Sequence, residues 1–206
     1  YNAIFLAIGA HQGIKMGVGG EDSPRVRDCV GFLRDVSLGK EVKLGDRVAV
    51  IGGGNAAIDS ARTALRLGAR EVAIIYRRTR TEMPASAEEI DGAIAEGVKV
   101  NFLATPSRII SQNGKLELEC VQMRLGAVDA SGRPGPEPIE GSEFTVSFDT
   151  IIAAIGQRPE IPGQFNLPTG RGNIIQVDPD ALTTSREGVF AGGDAISGPA
   201  SVIEAI

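Results

Sequence analysis

The sequence predicts an α/β fold in which a central domain with a parallel sheet interrupts a second domain. Strand and helix patterns alternate through the middle of the chain, as they do in βαβ units. Two strand patterns of one form, an apolar run ending in glycine, flank this region at residues 3–9 and 150–156. We interpret the pair as the entry to and the exit from the central domain.

The composition is that of a globular protein able to bury a core: 206 residues, 42% hydrophobic and 23% charged. The net charge of −5 argues against a nucleic-acid partner, because binding a phosphate backbone needs a concentrated basic surface. No apolar run approaches the roughly 18 residues that span a bilayer, and the first residues lack the charged start of a signal peptide. We therefore expect a cytoplasmic protein with no membrane partner.

The residues that bind metals or act as nucleophiles are sparse. His11 is the one histidine, and Cys29 and Cys120 have neither a CxxC nor a metal-ligand spacing. The sequence therefore predicts no metal site, and it nominates no catalytic side chain.

The first segment begins with a predicted buried strand over residues 3–8, which ends at Gly9. After a glycine-rich loop, Ser23-Pro24 has the form of a helix N-cap followed by proline at the first helical position. Apolar residues recur at helical spacing up to a stop at Gly39. We expect this helix to connect two domains.

The central region predicts three strands and two helices in alternation. The strands are expected at Arg47–Ile51, Glu71–Tyr76 and residues 99–103, and the helices at residues 55–67 and 86–96. Gly68 and Gly97 mark the helix ends. Ser86-x-x-Glu89 has the form of a capping box at the start of the second helix.

Beyond residue 107 the pattern changes to that of an antiparallel meander. Strands are expected at residues 108–111 and 115–123, joined across the hairpin signal Asn113-Gly114. Residues 126–142, rich in glycine and proline, predict a loop, and residues 144–148 alternate as in a further strand. The meander thus takes the place of the next crossover helix before a buried strand at residues 150–155.

The first candidate site is the turn between the strand at Arg47–Ile51 and the helix that follows. Its glycines and the start of that helix are Gly52, Gly53, Gly54, Asn55, Ala56 and Ala57. Gly52 would permit the tight turn, Gly54 the approach of a pyrophosphate to the backbone, and Ala57 close packing of helix on strand. The free N–H groups and positive dipole of a helix N-terminus suit a diphosphate, so the sequence predicts dinucleotide binding.

The second candidate site follows the strand at Glu71–Tyr76. An NAD site usually carries an acidic residue here for the ribose 2′-hydroxyl, but this chain has Arg77-Arg78 with Arg80 nearby. A guanidinium suits a phosphate dianion, whereas a carboxylate would repel it. The basic run therefore predicts NADPH.

The third candidate site lies in the last segment, where a strand pattern runs into Gly193-Asp194. The carboxylate of Asp194 could accept hydrogen bonds from a polyol such as ribitol. A helix expected to start near Pro199 would point its N-terminus, at Ala200, Ser201 and Val202, toward an electron-rich carbonyl.

These motifs, in this order, resemble the small-subunit family of glutamate synthase, with its relatives dihydropyrimidine dehydrogenase and adrenodoxin reductase. The pieces that carry the resemblance lie at residues 5–9, 50–59, 76–84, 154–159 and 188–194. The resemblance implies a Rossmann-like three-layer (β/β/α) NADPH domain with a β-meander crossover, inserted into a partial FAD domain. It divides the chain at residues 1–20 (FAD segment), 21–44 (connecting helix and linker), 45–153 (NADPH domain) and 154–206 (C-terminal FAD segment).

The resemblance also implies an enzymatic role. The glycine turn and the arginines would bind NADPH, while FAD would be contacted at Gly9, Gly156, Gly193, Asp194, Ala200, Ser201 and Val202. Hydride would pass from NADPH to FAD, and electrons would then pass to iron–sulfur clusters and a large electron-accepting subunit. In the family an iron–sulfur segment and a first FAD glycine motif precede the residue equivalent to Tyr1. We therefore expect this chain to be a fragment with an incomplete FAD site.

Two other functions remain open at this point. A disulfide reductase of the thioredoxin-reductase kind shares the architecture but needs a redox-active cysteine pair, which the spacing of Cys29 and Cys120 does not suggest. A module that binds NADPH without turnover is the alternative outside enzymes.

Overall fold

The computed structural model describes residues 1–112, 114–129 and 132–205. Two compact units are present, and each is described by itself. The central unit is Lys15–Ile155, and the flanking unit combines Tyr1–Ile14 with Gly156–Ile206.

The described residues form strands and four α-helices. The strands are β1 (Ile4–Leu6), β2 (Gln12–Gly13), β3 (Val26–Asp28), β4 (Arg47–Ile51), β5 (Glu71–Tyr76), β6 (Lys99–Phe102), β7 (Ala104–Gln112), β8 (Lys115–Val128), β9 (Pro134–Pro138), β10 (Phe144–Phe148), β11 (Thr150–Ala153), β12 (Gln157–Arg158) and β13 (Val189–Ala191). The helices are α1 (Cys29–Ser37), α2 (Asn55–Arg66), α3 (Ala87–Ala95) and α4 (Asp194–Ser197).

A five-stranded parallel sheet forms the middle layer of the central unit, in the order β3-β11-β4-β5-β6. Its strands are rich in valine and isoleucine, whose branched side chains favour the extended backbone. Both faces of the sheet are covered, so β4, β5 and β11 are apolar along most of their length. The predicted bounds of β4 and β5 are confirmed to the residue.

The alternation of side chains in β4 divides the core in two. Val48 and Val50 pack on the face that carries α1, α2 and α3, whereas Ala49 and Ile51 pack against side chains of the meander strands. Meander, parallel sheet and helices therefore form three layers, which confirms the predicted β/β/α architecture.

The helices of the central unit begin and end close to the predicted residues. Gly54 is the N-cap of α2, and Gly68, with φ of 97°, follows its C-cap. Ser86 caps α3 by accepting a hydrogen bond from the Glu89 N–H at 3.2 Å. The reciprocal bond from Glu89 is not formed, so only half of the predicted capping box is present.

The predicted start of the first helix at Ser23-Pro24 is wrong. Helix α1 begins at Cys29, and its N-cap is Asp28, whose side chain accepts from the Gly31 N–H at 2.8 Å. The preceding residues form β3, because pairing with β11 satisfies their backbone groups. Residues 15–44 lie within the central unit, Lys15–Ile155.

The meander consists of β7, β8 and β10, paired antiparallel, with β9 paired to the distal part of β8. The predicted loop over residues 126–142 is thus partly wrong, since β8 extends to Val128 and β9 contains three prolines. Proline lacks a backbone N–H, yet an edge strand such as β9 tolerates it. Asn113 of the predicted hairpin turn lies outside the described residues.

The flanking unit pairs β1 with β13 in parallel and β2 with β12 antiparallel. Its core contains Ile175, Ala191 and Ala195. The prediction of a buried first strand is wrong, because Ile4 and Phe5 are 51% and 59% exposed. Within the described residues β1 pairs only with β13, which leaves much of its surface uncovered.

Candidate functional site

Gly52 directly follows β4, at a position where no side chain fits. Its φ is 140°, and a Cβ there would lie 2.1 Å from the carbonyl oxygen of Ala154. The Ala154 N–H in turn donates to the Ile51 oxygen at 2.8 Å. The carboxyl ends of two adjacent parallel strands therefore converge on this glycine, as the predicted tight turn requires.

Gly53 lies beneath an aromatic ring. A Cβ at Gly53 would lie 2.6 Å from Cδ2 and Cε2 of Tyr76, the last residue of β5. The Tyr76 hydroxyl donates to the Glu82 carbonyl oxygen at 2.6 Å, and the Ala85 N–H donates to the Gly53 oxygen at 3.2 Å. This role of Tyr76 has no signal in the sequence, because the contact depends on the register of β4 and β5.

Helix α2 begins without a side-chain cap and without an acidic residue in its first turn. The N–H groups of Gly53, Gly54, Asn55 and Ala56 find no acceptor among the described residues. A Cβ at Gly54 would meet nothing closer than Pro84 at 3.8 Å, so its surroundings are open. Free N–H donors at the positive end of a helix dipole are the groups that suit an anion.

Arg77 follows β5 directly, and β5 is the neighbour of β4 with Ile51 opposite Ile75. The glycine turn and Arg77 thus leave adjacent strands at the same edge of the sheet. The Arg77 side chain is exposed and makes no hydrogen bond or ion pair within the described part of the chain. Arg80 is partly exposed, and its Nη2 donates to Oδ1 of Asp91 at 2.6 Å.

Arg78, which the sequence places with Arg77 in the candidate phosphate site, differs from its neighbour in burial. Its side chain is 2% exposed. Nη2 donates to Oδ2 of Asp129 at 2.5 Å, and Nε donates to the Pro134 oxygen at 2.8 Å. A buried guanidinium needs such partners, and both come from the β8–β9 end of the meander.

Residues 79–82 form a short 3₁₀ turn with a complete capping box. The Thr79 hydroxyl and N–H both donate to Oε2 of Glu82, at 2.6 and 3.0 Å. These bonds, led by the one from the hydroxyl, hold the pKa of Glu82 below its ordinary value. The Thr-x-x-Glu spacing could have predicted this box.

In the flanking unit, Asp194 has a carboxylate oxygen without a partner. Oδ1 is buried and accepts no hydrogen bond within the described residues, which is costly for an acceptor removed from water. Asp194 follows Gly193, whose φ is 63°, and begins α4. The predicted Gly9 and Gly156 also have positive φ, 70° and 132°, and the Gly156 oxygen accepts from the Ile14 N–H at 3.0 Å.

The helix expected to start near Pro199 is a single turn in the described residues. Ser201 caps it, since its hydroxyl accepts from the Glu204 N–H while Oε2 of Glu204 accepts from the Ser201 N–H and hydroxyl. The Ala205 N–H donates to the Ser201 oxygen at 3.1 Å. Helix α4 ends before this turn, at Ser197.

The cysteines form no disulfide and face opposite sides of the parallel sheet. Cys29 packs with the helix layer and Cys120 with the meander layer, and both are buried. Burial, with a smaller contribution from Glu119, raises the pKa of the Cys120 thiol to about 12. The described residues contain no cluster of three potential metal ligands and no helix long and apolar enough to cross a membrane.

The central unit has a parallel sheet covered by helices on one face and by a meander on the other. At the carboxyl edge of this sheet, a glycine turn leads into a helix without a side-chain cap. These features define the central unit as a Rossmann-like dinucleotide-binding domain. The whole chain, residues 1–206, matches the family described as pyridine nucleotide-disulphide oxidoreductase. The chain belongs to that family of oxidoreductases.

Curated relatives agree with the expected resemblance. The chain is 46% identical to the NADP(+)-dependent formate dehydrogenase subunit beta of Moorella thermoacetica, matching 100% of this chain and 30% of the relative. It is 36% identical to the glutamate synthase [NADPH] small chain of Azospirillum brasilense, matching 99% of this chain and 46% of the relative. The chain thus spans less than half of each relative's length.

A solved structure shares the fold. Mycobacterium tuberculosis FprA in complex with NADPH superposes with a TM-score of 0.77 at 20% identity, over 98% of this chain and 60% of that one. This likeness confirms the α/β architecture.

Proposed function

We propose that the central unit binds NADPH. The hydride of NADPH would then pass to FAD, which the flanking unit would hold in part. NADPH would supply the hydride and FAD the accepting ring, so the protein's task is to bind and orient them. Accordingly, no acid–base side chain is assigned. The observation that carries the proposal is the start of α2, with its glycine turn and free N–H groups.

The residues at this start fit a dinucleotide. Gly52 leaves no room for a side chain, and Gly54 leaves its own surroundings open. Asn55 and Ala56 would donate their backbone N–H groups to the pyrophosphate. Ala57 is fully buried and keeps α2 close to the sheet.

Arg77 supports NADPH over NADH. Its exposed guanidinium stands where an NAD-binding domain usually has a carboxylate. A guanidinium binds a phosphate dianion through two parallel hydrogen bonds. Arg80 is the second candidate donor, and it would have to share its charge with Asp91.

The flanking unit contains a hydrogen-bond acceptor that suits a polyol. The partnerless Oδ1 of Asp194 would accept a hydrogen bond from a ribitol hydroxyl of FAD and would thereby be satisfied. Gly9, Gly156, Gly193 and the capped turn at Ser201 remain the further proposed FAD contacts, together with Ala200 and Val202.

The names of the relatives support a place in a larger electron-transfer protein. One is a subunit of an NADP(+)-dependent formate dehydrogenase and another the small chain of a glutamate synthase. By this likeness, electrons would leave FAD for iron–sulfur clusters and a large electron-accepting subunit. Cys29 and Cys120 pack in different layers of the central unit and show no redox-pair spacing, which supports the reducing compartment expected from the sequence, the cytoplasm.

No observation favours a disulfide reductase built on this chain's own cysteines. Cys29 and Cys120 pack on opposite faces of one sheet and are buried, and the raised pKa of Cys120 keeps it a thiol, whereas the nucleophile is the thiolate.

The proposed hydride transfer is tested in a full-length protein that contains this chain, loaded with FAD, by adding NADPH anaerobically and following the flavin absorbance. The proposal predicts bleaching of the oxidised flavin, faster with NADPH than with NADH. NADPH binding without bleaching would contradict it and select the non-catalytic module.

A further inference from the structure

Residues 77–84, the 77–84 loop, connect β5 to the segment before α3 and carry Arg77. Arg78 lies within this loop but points away from solvent, toward the β8–β9 arm, which comprises β8, β9 and the described residues between them. There its guanidinium meets the Asp129 carboxylate and the Pro134 carbonyl oxygen.

Two further contacts hold the same loop, one from the β8–β9 arm and one from the residue after β6. Nη1 of Arg133 approaches the Glu82 carbonyl oxygen at 3.4 Å, the oxygen that also accepts from the Tyr76 hydroxyl. The Arg78 oxygen accepts from the Leu103 N–H at 3.1 Å, at the end of β6. The loop is thus fixed on its inner side by groups that are distant in sequence.

We infer that the Arg78–Asp129 ion pair is a positioning device that holds the 77–84 loop so that Arg77 faces the 2′-phosphate of NADPH. Arg78 and Asp129 would then set nucleotide preference without touching the nucleotide. This inference rests on the proposed function, because the ion pair would position a residue of the proposed phosphate site.

The geometry favours this role over direct phosphate binding by Arg78. A phosphate on Arg78 would have to displace two acceptors from a side chain that is 2% exposed. Breaking a buried pair by removing one partner leaves an uncompensated charge. Arg77, immediately before it, is exposed and has no competing partner in the described residues.

The direction in which one substitution changes NADPH affinity distinguishes direct phosphate binding by Arg78 from positioning of the loop. If Arg78 bound the phosphate, Asp129→Asn would free its guanidinium and remove a nearby negative charge, and NADPH would bind more tightly. If the pair positions the loop, Asp129→Asn weakens NADPH binding about tenfold and leaves NADH affinity unchanged. Tighter or unchanged NADPH binding in this variant overturns the inference.

A matched control lies on the same arm. Nε of Arg124 donates to Oε2 of Glu137 at 3.0 Å, with side chains 69% and 48% exposed. Because this pair is exposed and does not contact the 77–84 loop, Glu137→Gln should change neither the NADPH affinity nor the NADH affinity. The double variant Arg78→Met/Asp129→Asn should bind NADPH no more weakly than Arg78→Met alone, since the two residues act through each other. Additive losses would contradict this coupling.

Amide hydrogen exchange tests the positioning without any nucleotide. The Thr79 N–H donates to Glu82 and the Leu103 N–H to Arg78, so both should exchange faster in Asp129→Asn and at the wild-type rate in Glu137→Gln. Unchanged protection of both amides overturns the positioning role. Failure of the wild-type chain to bind NADPH would instead contradict the proposed function, while the exchange rates would still decide whether the pair holds the loop. Should Asp129→Asn fail to fold, Arg78→Met, which removes the other partner of the ion pair, should show the same faster exchange at both amides, and unchanged protection in that variant would overturn the positioning role.

Discussion

The ring of Tyr76 covers Gly53 so closely that a Cβ on the glycine would lie 2.6 Å from two ring carbons. The last residue of β5 thereby fixes the turn that follows β4. The Tyr76 hydroxyl also donates to Glu82, so one side chain connects the glycine turn to the loop that carries Arg77.

This contact predicts opposite results for two neighbouring glycines. Gly53→Ala should lower the free energy of unfolding by about 1–3 kcal/mol, the usual effect of forcing extra atoms into a packed site. Gly54→Ala should leave it nearly unchanged, because a Cβ there meets nothing closer than 3.8 Å, yet it should weaken NADPH binding by crowding the pyrophosphate. Urea unfolding and NADPH titration of both variants check this, and equal losses of stability would contradict the packing.

Replacing Asp194 should weaken FAD binding without lowering the free energy of unfolding. Its buried Oδ1 has no partner to lose, so Asp194→Ala should leave the free energy of unfolding unchanged or raise it. FAD affinity should fall about tenfold or more, as expected for the loss of a hydrogen bond to a charged group. Asp180→Ala, which alters an exposed carboxylate of the same unit, is the control. A destabilised Asp194→Ala protein with normal FAD affinity would refute the assignment.

The Cys120 thiol should make the free energy of unfolding depend on pH in the alkaline range. Burial raises its pKa from 9.0 to about 12 in the folded protein, so the folded state holds the proton that the unfolded state releases. The contribution of the thiol is therefore constant below about pH 9 and becomes less favourable as the pH rises toward 12, by at most about 1.4 kcal/mol per pH unit. Urea unfolding across this range should show a steeper fall for the wild type than for Cys120→Val. Parallel curves would show that the thiol does not stay protonated in the folded state.

The sequence predicted best those elements whose signal is local. Strands β4 and β5 were placed to the residue, because branched apolar residues bounded by glycine and charge specify a buried parallel strand. The glycine turn was likewise readable, since its conformational demands allow few residues other than glycine.

The errors arose where distant pairing decided local structure. Val26 and Arg27 fit a helical pattern, but β11 offered them a strand partner. The prolines of β9 indicated a loop, yet an edge position beside β8 made a strand possible. Arg78 looked equivalent to Arg77 because the sequence does not show that Asp129, far along the chain, is its partner.

Calorimetric titration of the chain with NADPH and with NADH is the sharpest test of an NADPH site at the start of α2 beside Arg77. Three proteins are compared: the wild type, Arg77→Ala and Arg70→Ala, the last altering an exposed arginine just before β5, at the other end of that strand. We expect the wild type to prefer NADPH, Arg77→Ala to lose about 1.5–3 kcal/mol of NADPH binding with NADH binding unaffected, and Arg70→Ala to behave as the wild type. Equal binding of NADPH by all three proteins would contradict this assignment of the site.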